Sequence, residues 1–133
     1  MLDTEKFTAN LEKVNKYAEA IVSSTQGSVI NTTHVIYAML GVECEAVRTL
    51  RQFGVTPQNF RPINERSVSP VMSYAKELLI AYNVAFKLME KVSANNLDTE
   101  HLLLAILMGE VSATKILRTS GIDVDGMMLS LAR

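Results

Sequence analysis

Two stretches of the chain, NTTHVIYAMLGVECEAVRTLRQFGV at residues 31–55 and DTEHLLLAILMGEVSATKILRTSGI at residues 98–122, are one pattern written twice. They superpose at an offset of 67 positions without a gap, and nine of the 25 aligned pairs are identical. The identities include Thr32/Thr99, His34/His101, Glu43/Glu110, Arg51/Arg118 and Gly54/Gly121. Chance would give about one or two in a window of this length. Six of the remaining pairs, Val35/Leu102 and Val55/Ile122 among them, exchange one apolar residue for another. A period this long marks one supersecondary unit used twice.

Outward from that stretch, each unit reads as helical. Phe7, Leu11, Val14, Ala18, Ile21 and Val22 step by three and four, the spacing of one helix face, and Tyr74, Leu78, Ala81, Ala85, Leu88 and Met89 repeat it. A second helix is expected from Thr32 and Thr99 to Leu40 and Met108, with the threonines as N-caps. A third is expected over 45–53 and 111–120, closed by Gly54 and Gly121 in the left-handed conformation that glycine adopts most easily. A short fourth follows near 57–61 and 125–132. Four helices used twice predict eight. All three prolines, Pro57, Pro62 and Pro70, fall in one 14-residue window around the junction of the halves. Proline breaks a helix interior, so repeat 1 is placed at about 1–61, a connection at 62–69 and repeat 2 at about 70–133.

Composition limits what the chain does. Its 133 residues are 48% hydrophobic and 20% charged, the balance of a folded domain. Thirteen basic and fourteen acidic side chains give a net charge of −1, spread evenly over both halves, which is no footprint for nucleic acid or anionic lipid. The longest apolar run, Leu102–Met108, is seven residues, against roughly 20 for a membrane span. The start has no signal-peptide pattern, so a cytoplasmic chain is expected. One cysteine, Cys44, rules out an internal disulfide, and its neighbours Glu43 and Glu45 disfavour a thiolate nucleophile. His34 and His101 lack the partners of a metal site and are expected as hydrogen-bonded first-turn residues. No phosphate-cradling glycine motif is present. The chain is therefore expected to be no enzyme and to carry no cofactor.

One helix departs from its repeat. Leu79, Tyr82 and Phe86, with Ala75, form a second apolar stripe. It reads either as the surface that packs between the repeats or as an open peptide groove.

The repeated Thr-x-His-aliphatic run, with Ala46/Ala113, Leu50/Leu117 and Gly54-Val55/Gly121-Ile122, resembles the Clp N-terminal repeat, the double-repeat domain at the front of Clp-type AAA+ unfoldases of the ClpA, ClpB and ClpC group. Asp98-Thr-Glu-His-Leu-Leu-Leu-Ala-Ile-Leu107 is the clearer half. The resemblance implies one compact all-α domain of two pseudo-twofold-related four-helix repeats. It also implies a non-catalytic role in receiving unfolded or tagged substrates and adaptor proteins for an ATP-driven ring, whose ATPase modules lie outside this chain. A stand-alone regulatory protein of the same fold is the alternative. In ClpC-like members the Glu of Thr-Glu-His helps to bind phosphoarginine. Glu100 matches that Glu and Thr99 its neighbour, whereas the repeat-1 counterpart, Thr33, carries no charge. A carboxylate can pair with the guanidinium and helix-start N–H groups can hold the phosphate, so any such site is expected in repeat 2 only. An added carboxylate at Asp98 acts against the phosphate.

Overall fold

The computed structural model describes residues 4–24, 27, 29–60 and 73–132. Within them stand seven α-helices: α1 (Ala9–Ser24), α2 (Thr32–Leu40), α3 (Glu45–Gln52), α4 (Lys76–Lys91), α5 (Thr99–Met108), α6 (Ser112–Thr119) and α7 (Val124–Leu131). At the 67-residue offset, α1–α3 correspond to α4–α6. The expected eighth helix is instead a single 3-10 turn, Pro57–Phe60, opposite α7. Pro57 suits a helix start, but Pro62 has no N–H and its ring would meet the backbone one turn back, so two α-turns cannot be built there. α7 has no proline and gains a cap, the Asp123 carboxylate accepting from the Gly126 N–H at 3.0 Å. The expected connection at 62–69 lies outside the described residues.

The helix starts also differ from expectation. The N-caps of α2 and α5 are Asn31 and Asp98, one residue before the threonines. Both have extended backbone, and each side chain accepts from the next N–H at 2.7 Å. The histidine three residues on closes the box: His34 Nδ1 accepts the Asn31 N–H and His101 Nδ1 the Asp98 N–H, both at 2.9 Å. Histidine thus fills the place that glutamate or glutamine takes in the common capping box. The helix ends match expectation. Gly54 and Gly121 both lie at φ +82°, and the residue after each donates back to Leu50 or Leu117 across the last turn.

The two threonines have another task. Thr32 Oγ1 accepts from the Ala113 N–H at the start of α6, and Thr99 Oγ1 from the Ala46 N–H at the start of α3, both at 3.3 Å. Each repeat caps a helix of the other. The short strands do the same. β1 (Val29–Ile30) runs parallel to β2 (Ser73–Tyr74), pairing Ile30 with Tyr74, while an isolated bridge pairs Phe7 with Leu97. Phe7 and Tyr74 are equivalent, as are Ile30 and Leu97, so the two contacts are mirror partners of a twofold exchange.

The core follows from this exchange. α1 packs on α2 and α4 on α5 within the repeats; α2 packs on α6 and α5 on α3 between them. Leu11, Val22, Ile36 and Leu50 from one half join Leu78, Leu102, Ile106 and Leu117 from the other in one buried cluster. Two equivalent ion pairs, Arg51–Glu43 at 3.0 Å and Arg118–Glu110 at 3.6 Å, brace the exposed side of the third helix in each repeat.

Candidate recognition surface

The first turn of α5 is where the two repeats differ most in exposure. In repeat 1 every residue from Asn31 to Ile36 is buried, Thr33 included. In repeat 2 Asp98, Glu100 and His101 are only half-buried, while Thr99 is sealed. The Thr99 hydroxyl is buried and accepts from the Ala46 N–H of α3. Glu100 does reach the surface. It makes no hydrogen bond or salt bridge among the described residues. Burial raises its carboxyl above the ordinary glutamate value, Asp98 and Glu45 add to the rise, and His101 works against it.

A phosphate at this helix start meets a carboxylate already in place. Asp98 holds the Thr99 N–H, and its Oδ1 also accepts from the Thr8 hydroxyl at 2.9 Å. Thr8 in turn caps α1 by accepting from the Leu11 N–H at 3.2 Å. The N–H groups that favour an anion at a helix start are thus partly occupied, and by negative charge.

Beside Glu100 a groove of about 340 Å³ opens between α4, α5 and α7. Leu88, Val92, Leu104 and Leu131 give it an apolar lining, with Lys91 and Glu100 as its charged groups. Val92 is 66% exposed. Sequence reading missed this groove. Its lining comes from three separate helices, so no single periodic stripe announces it. The repeat-1 counterparts of Leu88 and His101, Ile21 and His34, are buried.

The stripe of Leu79, Tyr82 and Phe86 is not one open surface. Tyr82 is fully buried, stacked on Phe7 of the other repeat at 5.5 Å between ring centroids. Phe86 is half-buried at 6.5 Å from Phe7, and Leu79 is 37% exposed. Tyr82 and Phe86 thus pack against Phe7 of the other repeat, and Tyr82 has no exposed surface. Burial drives its phenol far above the ordinary tyrosine value, with Tyr74 and then Glu19 adding to the effect.

Among the described residues no group of His, Cys, Asp and Glu could hold a metal ion, and no helix is long and apolar enough to cross a membrane. Cys44 is buried at the start of α3.

Known proteins share this arrangement. The N-terminal domain of Hsp104 from Candida albicans superposes with a TM-score of 0.82 at 15% identity, covering 95% of this chain and 89% of that one. The N-terminal domain of the chaperone ClpD from Arabidopsis thaliana gives 0.78 at 13% identity, over 97% and 96%. The ClpV N-domain in complex with a VipB peptide gives 0.76 at 17% identity, over 96% and 86%. Identities this low speak for the fold alone. The sequence itself matches the family model of the Clp repeat (R) N-terminal domain over residues 6–120. With that span covering most of the chain, and the two halves exchanging caps and bridges at equivalent positions, the chain belongs to the Clp repeat (R) N-terminal domain family.

Proposed function

We propose that this chain is the substrate- and adaptor-recognition domain of a Clp-type ATP-dependent unfoldase and catalyses nothing itself. Residues 1–61 and 70–133 are its two repeats, and the ATPase modules belong to other parts of the machine. The observation that carries the reading is the apolar groove beside Glu100, on a fold whose ClpV relative holds a VipB peptide. Apolar lining with a charged group at the edge suits a segment of polypeptide rather than a small polar metabolite. Unfolded clients present such segments.

The direct test is a titration of the isotope-labelled chain with a permanently unfolded protein, followed by NMR. Shifts gathered on Leu88, Val92, Leu104 and Leu131 support the proposal; an unperturbed spectrum at millimolar client refutes it. Glu100 is the residue proposed to hold a guanidinium, phosphoarginine included. Free phosphoarginine is expected to occupy at most one site per chain and to be lost in Glu100→Ala, because Thr33 is uncharged and buried. Asp98→Asn is expected to tighten that site, since it removes a charge while keeping the cap that Asn31 provides in repeat 1. Two equal sites, or weaker binding in Asp98→Asn, would count against this assignment.

A further inference from the structure

A second opening, of about 270 Å³, lies between α1 and Tyr74, away from the groove beside Glu100. Its origin is a difference between the repeats. Asn15 of α1 is the counterpart of Tyr82 of α4, and Tyr74 the counterpart of Phe7. In one half Tyr82 fills the space by stacking on Phe7. In the other the short Asn15 side chain leaves the space beside Tyr74 open. The flanking positions change in the same sense. Glu12 and Glu19 stand where Leu79 and Phe86 stand in repeat 2, and both line the crevice.

The crevice has unused polar capacity. Asn15 is 8% exposed; its Nδ2 donates to the Tyr74 hydroxyl at 3.2 Å, and its Oδ1 has no partner among the described residues. A buried acceptor left unmade is costly and uncommon in a folded protein. Glu12 and Glu19, seven residues apart on one helix face, form no salt bridge among the described residues, and neither does Lys16 between them. The crevice is thus walled by two carboxylates, one lysine, an unpaired amide oxygen and the ring of Tyr74.

We propose that this crevice takes one basic side chain, arginine or lysine, of a bound polypeptide. A cation with several N–H donors suits Asn15 Oδ1 and a flanking carboxylate, the two carboxylates outweigh Lys16 in charge, and the aromatic ring favours the same sign. The space admits one long side chain. This inference rests on the recognition reading for the source of the cation, but it concerns a separate opening that shares no lining residue with the groove beside Glu100.

The probes are capped tripeptides Ala-X-Ala with X as arginine, lysine, glutamine or glutamate, titrated into the labelled chain. Arginine and lysine peptides are expected to shift Asn15 and Tyr74. Glu19→Gln is expected to weaken them by about fivefold, the loss expected of one partly screened ion pair. Asn15→Tyr, which rebuilds the packing seen at Tyr82, is expected to abolish the response; Glu12→Gln with Glu19→Gln makes the same test without changing packing. Equal response to the glutamine or glutamate peptide overturns the proposal. So does an unfolded client that perturbs the Glu100 groove while no basic peptide perturbs the crevice; that result leaves the recognition role standing. No response at either face removes both.

Discussion

Glu100 shows how one residue was legible in kind and not in setting. Its identity as the single charged member of the repeated Thr-x-His pair is plain in the sequence. That it would be half-buried, near Asp98 and Glu45, depends on how α3 and α5 meet, which no local pattern states. The consequence is a pH dependence with a definite sign. The folded chain holds the Glu100 proton more tightly than the unfolded chain does. That preference stabilises the fold fully below the unfolded glutamate value, and it is lost as pH rises through the raised folded value. Near neutrality the native state instead carries a partly desolvated charge. Glu100→Gln is therefore expected to raise the melting temperature at pH 7, and the gain should vanish in acid. Solvent screening keeps it small, about 0.5 kcal/mol or about 2 °C. Melting curves of both proteins at neutral and acid pH check this; a less stable variant at pH 7 would overturn it.

At the scale of elements, helix periodicity and the punctuation at Gly54 and Gly121 gave α1 to α6 to within about two residues, although Phe7 and Tyr74, read as the first residues of the helix faces, lie in the bridge and the strand that precede α1 and α4. The threonines are the instructive miss. Thr32 and Thr99 look like caps of the helices they begin, yet Asn31 and Asp98 hold that position and the hydroxyls reach across to α6 and α3. A helix start wants its free N–H groups satisfied, and nothing local says which hydroxyl does it. Thr32→Val and Thr99→Val keep the side-chain shape and remove the acceptor. Each is expected to cost about 1–3 kcal/mol, the penalty of a buried N–H left unpaired. Urea denaturation measures it, and the two losses should be alike because the geometries are. A neutral effect at either position would show that the 3.3 Å contact contributes nothing.

For the whole molecule, the repeat was visible in the residues themselves, whereas its twofold assembly was implied only by the family resemblance. Two copies of one unit can follow each other by translation, as in a solenoid, or face each other about a twofold axis. Both leave the same offset in the sequence. The contacts decide it: Phe7 meets Leu97 while Tyr74 meets Ile30, and Thr32 serves α6 while Thr99 serves α3. Such exchange is reciprocal, so neither half owns a complete set of caps or a complete core. A solenoid array can lose one unit and keep another; this arrangement cannot. Unfolding is expected as one transition, with far-UV circular dichroism and tyrosine fluorescence falling together. The tyrosines suit the test, since Tyr17 and Tyr37 lie in one repeat and Tyr74 and Tyr82 in the other, and the chain has no tryptophan to mask them. Peptides spanning 4–60 or 73–132 alone should lack cooperative melting, and an equimolar mixture should recover helix that neither has by itself. Two separated transitions, or a single half that melts sharply, would mean that the crossed caps and bridges are incidental to stability and that each repeat folds from its own contacts.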